Sequence, residues 1–245
     1  MTARENSSGA DLETDADLEA GPIRSFGRRR ARKLSQRQQS LLDNLLPRIS
    51  ALGPNGALRK PLEQAVTGSA RPTWLEIGFG GSEHLIWQAR QNADVQFIGC
   101  EPFIDGVAKA LTSIDEVRLT NVALHADDVW QVLRALPDQT LDRVFILFPD
   151  PWPKKRHVKR RLVSPALLDE LARLMKPGTE LRIGTDIADY ARTILLTVHT
   201  NAAFEWPVSG PDDWRVRPTD WPQTRYEAKA VREGRSSSYF SFRRR

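Results

Sequence analysis

Leu41, Leu42, Leu45, Leu46 and Ile49 fall at i, i+1, i+4, i+5 and i+8, and the run stops at Pro54 and Gly56. That spacing predicts a helix with one apolar face ahead of the main body of the chain. From Pro72 onward, short apolar runs alternate with amphipathic ones. The apolar runs predict strands at Thr73–Ile77, Gln96–Cys100, Val117–Ala123, Arg143–Phe148 and Glu180–Gly184. The amphipathic stretches predict helices at Ser82–Gln91, Ile104–Ser113, Val129–Leu136, Pro165–Met175 and Ile187–Thr197. Such alternation argues for βαβ units, hence an α/β fold with a doubly wound, mostly parallel sheet. After about Ala203 the pattern gives way to Trp- and Pro-rich loops. A last strand, Ser237–Phe242, suits an antiparallel pairing at the end of the sheet.

Composition narrows the picture. The 245 residues are 40% hydrophobic, enough for a sizeable core. No apolar run approaches the roughly 20 residues needed to span a bilayer, and Met1–Ala20 has no apolar segment of a secretory signal. The expectation is no membrane association and a cytoplasmic protein. Cys100 is the only cysteine, which excludes an internal disulfide framework. The four histidines, His84, His125, His157 and His199, show no paired ligand spacing, so no metal is expected. His84 reads as an ordinary surface or core histidine.

Charge is uneven. Residues 1–20 hold six acids and one arginine, so they carry −5 and residues 21–245 carry +10 within the net +5. Residues 1–22 read as a disordered acidic tail. Residues 23–70 read as a basic arm (Arg24, Arg28, Arg29, Arg30, Arg32, Lys33) with a helical extension, and 71–245 as the main domain. A basic body favours a polyanionic partner without identifying it. Nothing in the sequence demands a dimer, and a monomer is expected.

In an open parallel sheet, ligands bind outside the carboxyl ends of the strands. Five successive predicted strand ends carry acids: Glu76 before Gly78-Phe79-Gly80, then Glu101, Asp127-Asp128, Asp150 and Asp186. Gly78 and Gly80 permit a tight turn and close approach of a ligand to the backbone. Glu101 is placed to accept hydrogen bonds from ribose hydroxyls. A dinucleotide fits poorly, because the third glycine of Gly-x-Gly-x-x-Gly is Glu83, and carboxylates here repel a pyrophosphate. S-adenosylmethionine carries a sulfonium and no phosphate, so an acid-lined crevice suits it. Asp127 and Asp128 can equally cap the helix that follows, as Asp186 can cap the helix after it.

A second block, Phe148-Pro-Asp150-Pro-Trp152-Pro-Lys154, places a carboxylate between two prolines that stiffen the chain. Lys154–Arg161 then holds six Lys or Arg in eight residues, a run suited to a nucleic-acid backbone. Trp152 is the tryptophan placed for function. Aromatic, acid and basic run together supply stacking, edge recognition and phosphate anchoring.

Glu76-Ile-Gly78-Phe-Gly80, Phe148-Pro-Asp150-Pro-Trp152-Pro-Lys154, Lys159-Arg160-Arg161, Gly184-Thr185-Asp186 and Thr224-Arg225-Tyr226-Glu227 together resemble the bacterial tRNA (guanine-N7-)-methyltransferase family. The resemblance spans about residues 26–243. It implies a seven-stranded, Rossmann-like class I methyltransferase fold with an antiparallel C-terminal strand. It implies methylation of the variable-loop guanosine at tRNA position 46, with S-adenosylmethionine as donor and tRNA as partner. Carried over residue by residue, it implies that Glu76, Gly78, Gly80, Glu101, Asp128 and Asp150 contact the cofactor, with Asp150 at the active site. Lys154, Asp186, Thr224, Arg225, Tyr226 and Glu227 match substrate positions, and Arg156, Lys159, Arg160 and Arg161 match the RNA-contacting segment. Ser82 departs from the family's usual further glycine.

Guanine N7 carries an in-plane lone pair and needs no deprotonation, so Asp150 or Asp186 is expected to read the guanine edge rather than act as a general base. Competing readings are an N6-adenine-type base methyltransferase and a non-catalytic RNA-binding module on a methyltransferase scaffold.

Overall fold

The computed structural model describes residues 33–68 and 71–245. The expected acidic tail, and the basic arm up to Arg32, lie outside the described residues.

The predicted first helix is present as α1 (Gln36–Asn44) and α2 (Leu46–Ile49), interrupted where Pro47 removes a backbone donor. A capping box fixes its start: the Gln38 N–H donates to Ser35 Oγ, and the Ser35 N–H to the Gln38 side chain. The helix α3 (Lys60–Gly68) precedes the sheet. The five parallel strands are β1 (Thr73–Ile77), β2 (Gln96–Cys100), β3 (Val122–His125), β4 (Leu141–Leu147) and β5 (Met175–Thr185). Between them run α4 (Glu83–Gln91), α5 (Ile104–Val117), α6 (Val129–Ala135) and α7 (Pro165–Leu174), with α8 (Ala188–His199) after β5. The remainder is β6 (Phe204–Glu205), α9 (Asp212–Arg215), α10 (Arg225–Arg232) and β7 (Ser238–Arg244).

Among the described residues the seven strands form one sheet in the order β3-β2-β1-β4-β5-β7-β6. β7 runs antiparallel between β5 and β6. Helices α4 and α5, with the leucines of α1, cover one face, where Leu85 and Leu111 join Phe97 of β2 in one apolar cluster. Helices α6, α7 and α8 cover the other through Leu133, Leu171 and Ile194. The strands are buried on both faces, hence the near-continuous apolar runs that reveal them. Ala51 extends the extension onto this body: its N–H donates to Leu124 O at 2.8 Å.

Most element ends shift by a few residues from the sequence expectation, and the largest differences have a local cause. Residues 117–121 are not strand, because α5 continues to Val117 and closes on Arg118 in the left-handed region (φ 54°), leaving β3 to start at Val122. Helix α7 stops at Leu174, and β5 begins at Met175. β5 is therefore longer than expected. It accommodates Pro177-Gly178 in an arch at Gly178 (φ 83°), where the register against β4 slips between Leu141 and Arg143.

Candidate active site

Strand ends β1 and β2 meet at the glycine turn. Glu76 is 3% exposed, and one carboxylate oxygen accepts the Nδ1–H of His84 at 2.8 Å. The chain then turns through Gly78 (φ 75°) and Gly80 (φ 50°), conformations that glycine adopts without strain. A Cβ built on either meets nothing within 4 Å, so open space faces the backbone where a ligand approaches. Glu101 closes the turn from β2: its two oxygens accept the Gly80 N–H at 2.7 Å and the Phe103 N–H at 2.8 Å. Behind it, Gly106 of α5 lies so close that a Cβ there comes 2.3 Å from Gly80 O. Burial pushes the Glu101 carboxyl above its ordinary value, opposed by the two N–H donors, and the charges of Asp150 and Glu76 push it further up.

At the next strand end, Asp128 is the N-cap of α6 and accepts the Trp130 N–H at 3.0 Å, while Asp127 accepts the Asp128 N–H at 2.8 Å. A carboxylate can accept more than one donor, so capping and ligand contact are compatible. The acids and open glycine backbone fit a cationic adenosyl compound: each carboxylate accepts hydroxyl or amine donors, and the carboxylates repel a phosphate.

The other half of the crevice follows β4 and β5. Phe148 leaves β4 with φ 51°, and its N–H donates to Gly184 O at 2.7 Å. Asp150 sits in the loop beyond, exposed at its rim, with no polar partner among the described residues; partial burial raises its carboxyl. Asp186, by contrast, is buried. One oxygen accepts the Arg235 Nε–H at 2.7 Å and the other the Tyr226 O–H at 3.4 Å. The Tyr226 ring lies 5.3 Å from the Phe148 ring. The Phe148 loop, Asp186 and the start of α10 thus come together. Thr224 is the N-cap of α10, accepting the Glu227 N–H at 3.2 Å. Arg225 is exposed and ion-paired to Glu83 beside the glycine turn.

Two expected site residues sit apart from this surface. Glu227 is 2% exposed, hydrogen-bonded to Tyr239 Oη–H and 3.3 Å from Arg217 Nε. It anchors α10 to β7. Arg161 is also buried and points inward, whereas Lys154, Arg156 and Lys159 are exposed around the short 3-10 helix Lys155–Arg160. Arg160 lies over the Trp152 ring, 5.1 Å from its centroid. Sequence reasoning passed over His84, Arg235 and Gly106. A histidine at the start of the helix after Glu76 was the available signal for the first, and a glycine inside a helix for the last. Arg235 carried none.

Among the described residues, no group of three or more His, Cys, Asp or Glu could hold a metal, and no helix is long and apolar enough to cross a membrane.

A family model described as "Putative methyltransferase" matches residues 70–239. A tRNA (guanine-N(7)-)-methyltransferase of Rhodospirillum rubrum is 47% identical over 232 residues, covering 91% of this chain and 88% of that protein. The one of Hyphomonas neptunium is 49% identical over 210 residues, covering 85% and 94%. The chain belongs to the tRNA (guanine-N(7)-)-methyltransferase family. Family membership bears out the resemblance read from the Glu76 and Asp150 motifs, and with it the assignment as a methyltransferase enzyme. The aminoglycoside resistance methyltransferase NpmB1 superposes with a TM-score of 0.51 at 19% identity, over 77% of this chain and 94% of that one. That likeness shows the class I methyltransferase fold: a mostly parallel seven-stranded sheet with antiparallel strands at its C-terminal end.

Proposed function

We propose that this enzyme transfers a methyl group from S-adenosylmethionine to N7 of guanosine in tRNA, at the variable-loop guanosine (position 46). The observation that carries the reading is the Asp150 loop. It carries an exposed carboxylate just past the end of β4, two residues from Phe148, whose ring packs on Tyr226 of the Asp186 cluster, and it leads into an exposed basic turn. The names of the relatives support tRNA as the substrate. Residues 71–245 act as the catalytic domain and 23–70 as an extension, in a cytoplasmic, monomeric enzyme.

When bound, S-adenosylmethionine supplies a methyl group on a positively charged sulfur. Glu76, the Gly78–Gly80 backbone, Glu101 and Asp128 hold it, with Asp150 at the reacting end. Because N7 needs no deprotonation, the protein's work is alignment, worth up to roughly 7–11 kcal/mol when geometry is ideal. Of the two candidate edge readers, Asp186 has both oxygens engaged by Arg235 and Tyr226. Asp150 retains its lone pairs, so it accepts the guanine N1–H and N2–H and stabilises the positive charge that the purine acquires. Asp186 with Thr224, Arg225 and Tyr226 shapes the substrate side. Lys154, Arg156, Lys159 and Arg160 grip the RNA backbone.

The test is methyl transfer from labelled S-adenosylmethionine to an unmodified tRNA transcript, with nuclease digestion to identify the product, run beside Asp150→Ala. N7-methylguanosine from the wild type and almost none from the variant is the expected result. A different methylated nucleoside overturns the reading. In Asp150→Asn, turnover falls at every pH, because the amide presents one acceptor and one donor to two guanine N–H donors; an Asn variant as active as wild type removes Asp150 from the guanine edge.

A further inference from the structure

The Asp150 loop is strained and poor in donors. Phe148 and Trp152 take left-handed φ values of 51° and 42°, which side chains of that size hold only where the surroundings over-determine them. Pro149, Pro151 and Pro153 have no N–H, so three of the six residues from Phe148 to Pro153 cannot donate to anything. The sheet ties down one end, through the Phe148 N–H on Gly184 O at 2.7 Å.

Arg161 ties down the other. Its Nε–H donates to Pro151 O at 2.9 Å, one residue past Asp150. Its two remaining nitrogens reach Thr193 Oγ1 and the Asp189 carboxylate, both on α8. The guanidinium lies over Tyr190, 5.0 Å from the ring centroid, and Tyr190 accepts the Val163 N–H at 3.1 Å. All three nitrogens are spent on the protein, and the side chain is 3% exposed. A phosphate contact requires the opposite: an outward fork with donors to spare.

We propose that Arg161 is a positioning residue that clamps the Asp150 loop to α8, and that it does not touch RNA although it lies within the basic run that does. The proposal rests on the reading of Asp150 as the site of methyl transfer. One planar fork serves three acceptors and one aromatic face at once, which a lysine cannot reproduce. The basic run therefore divides by function: Arg156 and Lys159 face the polyanion, while Arg161 fixes the distance between the loop and the helix behind it.

The experiment compares full-length Arg161→Lys, Asp189→Asn, Asp189→Glu and Arg156→Ala with wild type. It reads kcat and KM for tRNA, the salt dependence of tRNA binding, and amide hydrogen exchange over residues 147–155. Arg161→Lys and Asp189→Asn should each lower kcat about tenfold with KM for tRNA within about twofold. The double variant should be no worse than the poorer single one, and Asp189→Glu should restore activity. Exchange at Asp150 and Trp152 should quicken in both damaged variants. Arg156→Ala should instead weaken tRNA binding and reduce the salt slope by about one. The proposal falls if Arg161→Lys reduces the salt slope like Arg156→Ala with kcat unchanged, or if Asp189→Asn tightens tRNA binding and leaves the loop protected. Should wild type transfer no methyl to tRNA, the functional reading fails, while the exchange data still decide the clamp.

Discussion

His84 Nδ1 stands 2.8 Å from Glu76 Oε2, with the two side chains 2% and 3% exposed. The pair does not end there. Gln88 Nε2 lies 3.2 Å from His84 Nε2 and donates to Asp220 O at 2.7 Å. A continuous buried chain of hydrogen bonds thus joins the carboxylate beside the glycine turn to the loop that carries Trp221 and leads to Thr224.

Removing His84 leaves Glu76 buried without its donor, a loss of roughly 1–3 kcal/mol. His84→Ala should lower Tm by roughly 2–4 °C per kcal/mol lost and weaken S-adenosylmethionine binding, with KM for tRNA little changed. His84→Asn presents an amide N–H where Nδ1–H was and should recover most of the cofactor affinity. Thermal melts and cofactor titrations check this; equal affinities for wild type and His84→Ala would remove His84 from the site.

Cofactor affinity should fall with falling pH. Burial holds the Glu101 and Asp150 carboxyls above their ordinary values, Glu101 also through the Asp150 and Glu76 charges. A raised folded value means these groups contribute stability below the unfolded carboxyl range of about 4, and lose it as pH rises through the folded values. A cationic ligand has the opposite preference, since it favours both groups ionised. S-adenosylmethionine should therefore bind progressively more weakly as pH falls through the raised values toward about 4, and binding should release protons. Calorimetry in buffers of different ionisation enthalpy measures the release, which Glu101→Gln should diminish; proton uptake would contradict the sign.

Gly106→Ala should damage the cofactor site from behind. The added Cβ comes 2.3 Å from Gly80 O, a backbone atom that cannot swing away. Overpacking of this kind costs typically 1–3 kcal/mol. The expected outcome is a protein that melts lower and binds S-adenosylmethionine at least tenfold more weakly. Unchanged binding would mean that the turn shifts freely.

Arg235→Ala and Tyr226→Phe should differ sharply although both touch Asp186. The Arg235 contact is charged and 2.7 Å long, and the Tyr226 hydrogen bond is neutral on the donor side and 3.4 Å long. Charge-assisted hydrogen bonds are roughly twice as strong as neutral ones. Initial rates on tRNA should drop about tenfold or more for Arg235→Ala and stay within about threefold for Tyr226→Phe; comparable losses would mean that the phenol, not the guanidinium, orients Asp186.

The bounds of β1 and β2 coincide with the sequence expectation, because strands buried on both faces are largely apolar and stand out against their flanks. The acids were legible with the strands, since Glu76, Glu101, Asp127, Asp150 and Asp186 each lie within three residues of a strand's carboxyl end. The start of β3 was not legible: Val117 and Leu119 looked like strand, but Ile114 and the left-handed Arg118 end a helix there. The two-residue β6 and four-residue α9 are too short to show a period. Arg161 was read outward with its basic neighbours, since charge alone does not tell which way a side chain turns. His84 and Arg235 stayed hidden for a related reason: each matters through one contact made by tertiary packing across segments 8 and 49 residues apart.

The place of β7 between β5 and β6 has a consequence for synthesis. A ribosome finishes β5, with Asp186 just past its end, more than fifty residues before it makes Ser238–Arg244. Until those residues arrive, β5 presents an open hydrogen-bonding edge, the kind of surface on which nascent chains stick to one another. The Tyr239 hydroxyl that fastens Glu227 arrives with the same segment. Folding of the cofactor half can therefore precede release from the ribosome, whereas the substrate half closes only when β7 slots in, so conditions that stall translation late should yield aggregation rather than a half-active enzyme.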